Sequence, residues 1–180
     1  SAPLRGKKGS EYEGGVRVPF IASWAKPDTN NKFQKKYPIA NNAVQLQQGT
    51  VMDLYPTILS VAGVKAKKHY PLDGSDLKKL LQGKQDKKHR DDFLMHFPHG
   101  EHRANYFTTY RKGDWKLIYY YNPDTTGEPS WKLYNLKDDP YETTDLAENQ
   151  PETLAPMIQL MKERLTEEKA LYPINKAEGI

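Results

Sequence analysis

Residues 106–121 read Tyr106-Phe107-Thr108-Thr109-Tyr110-Arg111-Lys112-Gly113-Asp114-Trp115-Lys116-Leu117-Ile118-Tyr119-Tyr120-Tyr121, two runs rich in aromatic and β-branched residues around a turn signal. Such residues favour strands, and the central Arg-Lys-Gly-Asp is typical of a short connection between two strands. Similar runs lie on both sides, at Phe93-Leu94-Met95-His96-Phe97 and at Trp131-Lys132-Leu133-Tyr134-Asn135-Leu136. Four such runs predict an antiparallel sheet with one face on a core and one toward water.

A helix is predicted after these strands. Asn149 and Glu152 resemble a capping box, and Pro151 suits the first helical turn. The apolar residues that follow recur at the spacing of one helix face, at Leu154, Met157, Ile158, Met161 and Leu165. The predicted fold class is therefore α+β, with a four-stranded antiparallel sheet packed by a C-terminal helix.

Shorter elements are predicted in the first half of the chain. The apolar run Val18–Trp24 suits a buried strand. Asp53 and Gly63 enclose a helical pattern, as an N-cap and as a C-terminal stop. A second short helix is predicted over Leu77–Leu81, where Gly83 follows as a stop signal.

A further informative stretch reads Lys8-Gly9-Ser10-Glu11-Tyr12-Glu13-Gly14-Gly15-Val16-Arg17-Val18-Pro19. Its glycine pair permits positive φ angles or a close approach to another group, so flanking charged residues can point into one cleft. Glu13 and Arg17 are predicted to form an ion pair that shapes the loop. Lys8 is a candidate anion ligand, because an ammonium group donates up to three hydrogen bonds. The alternative for Lys8 is a solvated charge beside a turn.

This stretch resembles the Lys-Gly-x-x-Tyr-Glu-Gly-Gly-x-Arg-x-Pro block of sulfatases of the alkaline-phosphatase-like superfamily. The runs Arg111–Ile118 and Leu133–Glu142 resemble the carboxy-terminal subdomain of the same family. The resemblance implies that residues 1–85 are the C-terminal portion of a sulfatase catalytic domain, and that residues 86–180 form the subdomain of antiparallel sheet and helix. It also implies that Lys8 contacts the sulfate of the substrate during catalysis.

The resemblance further implies a mechanism whose other parts lie outside this chain. Sulfatases hydrolyse sulfate esters with a formylglycine nucleophile, made from Cys or Ser in a Cys/Ser-x-Pro-x-Arg signature, and with a calcium ion. The chain has no cysteine and no compact acidic cluster that suits a hard cation. We therefore expect the nucleophile and the calcium ligands upstream, and an inactive chain when it is alone. By resemblance only, a periplasmic or secreted enzyme is expected.

The stretch His96-Phe97-Pro98-His99-Gly100-Glu101-His102-Arg103 is dense in functional side chains. Histidine titrates near neutral pH and can donate to a sulfate oxygen or a sugar hydroxyl, and arginine can bind sulfate in fork geometry. Ordinary loop anchoring is the alternative, and a zinc site lacks a further ligand with convincing context. We predict four substrate-binding residues here that select the sugar: His96, His99, His102 and Arg103.

Charge is divided unevenly along the chain. Residues 1–90 contain 17 Lys/Arg and 7 Asp/Glu, whereas residues 91–180 contain 10 and 16. A basic face can concentrate anionic polymers, so a non-catalytic module that binds anionic polysaccharide is an alternative function. A phosphatase, phosphodiesterase or phosphonate hydrolase of the same superfamily is another. No nucleic-acid motif and no apolar run of membrane-spanning length occur. The expected partners are a sulfated carbohydrate or aryl sulfate and the missing N-terminal catalytic portion.

Overall fold

The computed structural model describes residues 2–98, 105–121 and 130–173. The chain divides into two compact units, which we call the sheet unit and the helical unit. The sheet unit comprises the described residues of Ser1–Val18 and Asp92–Ile180, and the helical unit comprises Pro19–Asp91. The amino-terminal segment thus packs with the sheet, whereas the predicted division placed it in one portion with all residues up to 85.

From α3 onward, the elements follow the predicted order along the chain. The helices are α1 Glu13–Val16, α2 Lys32–Lys36, α3 Leu54–Ala62, α4 Lys78–Leu81 and α5 Pro151–Glu167. The strands are β1 Asp92–Phe97, β2 Phe107–Lys112, β3 Trp115–Tyr120 and β4 Trp131–Asn135. They form one antiparallel sheet in the order β1-β2-β3-β4, which confirms the predicted α+β fold. Among the described residues, no helix has the length and apolar character to cross a membrane.

Helix α5 packs on one face of the sheet. Pro151 is its first residue and Gln150 its N-cap. The prediction that Asn149 caps this helix is wrong. The N–H groups of Asn149 and Gln150 both donate to the carbonyl of Leu146, and this turn separates Asn149 from the helix. The core on this face combines residues of the strands with residues of the helix: Tyr110, Leu117, Leu133, Met157, Met161 and Leu165.

The opposite face of the sheet carries a second apolar cluster, formed by Phe107, Ile118, Tyr120, Tyr134 and Leu136. Tyr12 of the amino-terminal segment packs against this cluster, with its ring edge-on to that of Tyr134 and 6.4 Å between the ring centres. The prediction that this face meets water is wrong, because the amino-terminal segment supplies a second packing partner for it.

The helical unit agrees only in part with the predictions. Helix α3 ends at Gly63, which has a φ of 70°, but the Asp53 side chain does not cap this helix. It accepts hydrogen bonds from the N–H groups of Thr50 at 2.7 Å and Ser75 at 2.8 Å instead. Residues 18–24 form no strand, and Ile21 is 91% exposed. A buried strand needs hydrogen-bonding neighbours, and the described residues of this unit form no sheet.

Candidate functional site

Lys8 lies in a tight turn near the amino end. The N–H of Ser10 donates to the carbonyl of Lys7 at 2.9 Å, and the N–H of Lys7 donates to the Ser10 hydroxyl at 3.2 Å. Gly6 and Gly9 have φ angles of 81° and 91°, which glycine adopts readily. Lys8 is exposed in this turn, so its ammonium group is accessible to an anion.

The glycine pair permits a close approach of two backbone segments. Gly14 and Gly15 lie in α1, and the N–H of Gly14 donates to the carbonyl of Arg5 at 2.7 Å. A Cβ atom at Gly14 would lie 2.5 Å from the carbonyl oxygen of Arg5, and one at Gly15 would lie 2.3 Å from that of Ser10. Both separations are far below van der Waals contact. Glycine therefore lets α1 pack directly against the turn that carries Lys8.

A buried ionic cluster joins α1 to the sheet, and we call Glu13, Lys116 and Glu142 the carboxylate-lysine cluster. The Nζ atom of Lys116 on β3 lies 3.0 Å from Glu13 Oε1 and 2.7 Å from Glu142 Oε1. The backbone N–H of Glu13 also donates to Glu142 Oε2 at 2.7 Å. All three side chains are at most 3% exposed. Buried charges are costly unless they are paired and hydrogen-bonded. Lys116 pairs with both carboxylates and donates a hydrogen bond to Glu13 Oε1, whereas Glu142 Oε1 has the ion pair but no hydrogen-bond partner among the described residues.

Two arginines extend the cluster toward the surface. Arg17 Nε donates to Glu13 Oε2 at 2.5 Å, and Arg111 Nη1 lies 3.6 Å from the same oxygen. Arg17 is 45% exposed and Arg111 24% exposed. Glu13 therefore faces three cations, of which Lys116 is the most buried, and the Glu13–Arg17 contact is one part of a larger network.

Burial and the neighbouring cations act in opposite directions on the two carboxyl groups. Burial alone would raise the pKa of Glu13, but Lys116, Arg17 and Arg111 outweigh it and hold that pKa below its ordinary value. Burial also raises the pKa of Glu142, and Lys116 offsets this effect only in part. Glu142 is therefore the carboxylate of the cluster that is more readily protonated.

A second set of contacts holds the start of the segment between Arg5 and Glu13, residues 6–12, which we call the Lys8 loop. Arg5 Nη1 donates to the backbone carbonyl of Glu142 at 2.7 Å, and its guanidinium lies 3.9 Å above the centre of the Tyr12 ring. The hydroxyls of Tyr12 and Tyr120 are 3.2 Å apart, and Tyr120 donates to Glu11 Oε1 at 2.5 Å. Burial raises the pKa of Tyr120, so this phenol stays neutral and remains a donor.

His96 lies on the other face of the sheet. It shares the strand alternation of Leu94, which packs on the core beneath α5, whereas the Lys8 loop packs on the opposite face. Its Nδ1 is 2.7 Å from the Thr108 hydroxyl and its Nε2 is 2.6 Å from the carbonyl oxygen of Leu171. The described residues therefore do not bring His96 and Lys8 into one site. The other predicted sugar-selecting residues, His99, His102 and Arg103, lie outside the described residues.

The amino end of the chain, Ser1-Ala2-Pro3-Leu4-Arg5, has the letters of the Ser-x-Pro-x-Arg signature. Ser1 lies outside the described residues. Arg5 donates to Glu142 and lies 3.4 Å from the hydroxyl of Tyr134, so it links the Lys8 loop to the sheet. Arg5 therefore has a packing role, and the upstream nucleophile stays an expectation.

The sequence did not single out Lys116 or Glu142. A weak signal existed for each. Lys116 interrupts an apolar run at a position that strand alternation places beside Ile118. Glu142 follows the turn residues Asp138, Asp139 and Pro140, which is its sequence signal, whereas its left-handed φ of 55° is seen only in the structure. Neither signal names a partner, because their contacts to Glu13 span 103 and 129 positions of sequence.

The helical unit contains a separate polar constellation of Asp53, Ser75 and His89. The Ser75 hydroxyl is 2.8 Å from His89 Nδ1, and His89 Nε2 is 3.6 Å from Asp53 Oδ2. These residue types also form hydrolytic triads. Both Asp53 oxygens already accept backbone N–H groups, however, and the His89 side chain is 2% exposed. We interpret this constellation as an anchor of the loop before α4.

The chain is similar in sequence to known proteins over most of its length. Residues 7–170 match the family model described as N-sulphoglucosamine sulphohydrolase, C-terminal. A sulfatase of Formosa agariphila is 34% identical over 163 residues, which cover 84% of this chain and 26% of that protein. The chain thus spans about a quarter of the length of this relative.

Solved structures share the fold. A protein solved in complex with its substrate D-glucosamine-2-N,6-O-disulfate has a TM-score of 0.53 at 27% identity, over 65% of this chain and 24% of that chain. The structure of Ps i-CgsB in complex with k-i-k-neocarrahexaose has a TM-score of 0.64 at 23% identity, over 99% of this chain and 36% of that chain. The second likeness supports the fold only.

Proposed function

Because the chain belongs to the sulfatase family, as the C-terminal part of such a protein, we propose that the protein carrying it hydrolyses sulfate esters and that Lys8 binds the sulfate. The observation that carries this proposal is the position of Lys8. It is exposed at a turn whose backbone is held by internal hydrogen bonds and by close packing on Gly14 and Gly15. A flexible ammonium on a fixed turn can follow a tetrahedral anion as negative charge moves to the leaving oxygen.

Sulfated carbohydrates are the proposed substrate class. Support comes from the structural relative that was solved with D-glucosamine-2-N,6-O-disulfate as its substrate. For the segment after β1 we propose that His99, His102 and Arg103 contact the sugar. His96, whose ring nitrogens are occupied by Thr108 and Leu171, would support this segment from the side of α5. We further propose export to the periplasm or the cell exterior, where sulfated polymers occur.

The calcium ion and the formylglycine belong, in this proposal, to the N-terminal portion of the protein. The donor set of the residues that the structure describes does not suit calcium, which takes six to eight oxygen ligands. The described residues include no group of three or more potential ligands, and the carboxylates of Glu13 and Glu142 already bind Lys116. The contribution of this chain is therefore the cationic group at Lys8 and the network that holds it, and the chain alone is expected to be inactive.

Substitution of Lys8 in the full-length protein tests the proposal. Loss of one preorganised donor to a developing negative charge costs about 100- to 1000-fold in kcat. We expect a loss of this size for Lys8→Ala with a chromogenic aryl sulfate and with a sulfated glucosamine. Lys7→Ala is the matched control, because Lys7 is an exposed lysine of the same turn, and its kcat should stay within about 2-fold.

Three results would count against this proposal. Unchanged kinetics of Lys8→Ala would remove Lys8 from the site. Faster turnover of an aryl phosphate or phosphonate than of the aryl sulfate would favour the phosphatase alternative. Binding of a sulfated polysaccharide by the full-length protein without release of sulfate would favour the non-catalytic alternative.

A further inference from the structure

We infer that Glu142 and Lys116 are positioning residues for Lys8, which act through the loop rather than on the substrate. This inference rests on the proposed function of Lys8 as a sulfate ligand. Both residues come from the C-terminal part of the chain, more than 100 positions after the group that they position.

Glu142 holds both ends of the Lys8 loop. Its backbone carbonyl accepts a hydrogen bond from Arg5, and its carboxylate accepts one from the N–H of Glu13, each at 2.7 Å. Arg5 and Glu13 are eight positions apart, and Lys8 lies between them. A single buried residue therefore fixes where the loop begins and where it ends, so a shift of Glu142 moves both ends together.

Lys116 stabilises the close approach of the Glu13 and Glu142 carboxylates, because its ammonium group pairs with both. Without it, the buried carboxylates of Glu13 and Glu142 would face each other with no cation between them, and like charges repel strongly where water is excluded. Arg17 and Arg111 reach only the Oε2 side of Glu13. Loss of the Lys116 ammonium would therefore push Glu142 away from α1 and release the loop.

The backbone of Glu142 suggests a specific requirement for this geometry. Its φ of 55° is unfavourable for a side chain with a Cβ atom and persists only where the surroundings hold it. In the structure these surroundings are the local turn, in which the Glu142 N–H donates to the carbonyl of Asp139 at 3.2 Å, together with the contacts to Arg5, Glu13 and Lys116. Because a displacement of about 1 Å at a reacting group can cost roughly 100-fold in rate, the cluster sets the position of Lys8 closely enough to affect catalysis.

A double-mutant cycle in the full-length enzyme tests this inference. Glu142→Gln and Lys116→Met are each combined with Lys8→Ala, and kcat and KM are measured with the aryl sulfate. Each single variant is expected to lower kcat about 10- to 100-fold with a smaller change in KM. In the Lys8→Ala background the same substitutions should add no more than about 3-fold, because the group they position is already gone.

Matched variants separate positioning from general loss of structure. Lys132→Met removes a second buried lysine from the same face of the sheet, where it lies 5.8 Å from the Tyr120 ring centre, and its kcat should change less than about 3-fold. Lys116→Arg should restore a part of the activity that Lys116→Met loses. If Lys116→Met does not fold, Glu142→Gln carries the test, since it keeps the size of the side chain and removes the charge that pairs with Lys116.

The outcomes are distinguishable. Multiplicative effects of Glu142→Gln and Lys8→Ala would overturn the inference and leave the proposed function intact. Equal losses in Lys132→Met and Lys116→Met would also overturn it, because they would indicate a general effect of buried lysines. Unchanged activity of Lys8→Ala would overturn the proposed role of Lys8 as a sulfate ligand, and the inference with it.

Discussion

Replacement of Gly14 by alanine should separate α1 from the turn that carries Lys8. The added Cβ atom would lie 2.5, 2.6 and 2.9 Å from the carbonyl oxygens of Arg5, Gly6 and Leu4. These are backbone atoms, so no side-chain rotation relieves the contact. The hydrogen bond from the Gly14 N–H to Arg5 must lengthen as the two segments move apart.

The cost has two parts. Overpacking in a close-packed region costs about 1 to 3 kcal/mol, and loss of one hydrogen bond adds about 1 kcal/mol. Gly14→Ala should therefore destabilise the packed loop by about 2 to 4 kcal/mol. At 1.4 kcal/mol for each factor of ten, this predicts roughly 30- to 700-fold faster local opening.

Hydrogen exchange of the full-length protein measures this opening directly, because the amides of α1 exchange when the loop leaves the sheet. Gly113→Ala is the matched control. It adds the same methyl group to the turn between β2 and β3, where nothing lies within 4 Å of the new atom but φ is 58°. It should accelerate exchange in that turn by about 5-fold, for a cost near 1 kcal/mol, and leave α1 unchanged.

Exchange of α1 in Gly14→Ala at the wild-type rate would refute the close-approach explanation of the glycine pair. So would an equal effect of Gly113→Ala on α1, because it would show that α1 opens only when the whole sheet unfolds. The activity of Gly14→Ala should fall together with the protection of α1, since both depend on the position of the Lys8 loop.

Two further predictions concern the buried acids. Because the pKa of Glu142 is raised in the folded state, this carboxyl group binds more protons there than in the unfolded state above about pH 4.3, and its own contribution to stability falls as pH rises through the raised pKa. The lowered pKa of Glu13 contributes a slope of opposite sign. Glu142→Gln should remove the falling contribution from melting temperatures recorded between about pH 4.5 and 7.5, and a pH dependence identical to that of the wild type would contradict the assignment. Asp53→Ala leaves the N–H groups of Thr50 and Ser75 without their acceptor, which should destabilise the helical unit by about 2 to 4 kcal/mol. Asp53→Asn should accelerate hydrogen exchange of the α3 amides less than Asp53→Ala does, and equal acceleration by the two variants would exclude the anchoring role.

The sheet and its helix were predictable because their signals are local. Residue type and alternation mark each strand, Gly113 marks the turn between β2 and β3, and the recurrence of Met157, Met161 and Leu165 marks the buried face of α5. The exact cap of α5 was not predictable from Asn149 and Glu152, because the N–H groups of Asn149 and Gln150 donate to the carbonyl of Leu146 in a turn before the helix.

The network around Lys8 was predictable only at its local end. Glu13 and Arg17 are four positions apart in α1, so their ion pair is a local feature. Lys116 and Glu142 meet Glu13 through tertiary packing, and no periodicity in a single sequence indicates that packing. Lys8 and His96 were predicted to bind the same substrate. Alternate residues of β1 face opposite sides of the sheet, and His96 lies on the face that packs against α5, whereas the Lys8 loop packs on the other face.

The same topology gives the C-terminal part of the chain a role in the chemistry proposed for the N-terminal part. An exposed lysine on a free loop would lose its conformational freedom each time it bound an anion. In this structure that freedom is restricted in advance, because Glu142 holds Arg5 and Glu13 on either side of Lys8. The burial of Lys116 and Glu142 makes the restriction strong, since moving either charge without its partner is costly. Residues that never contact the substrate can therefore control the rate through the position of Lys8.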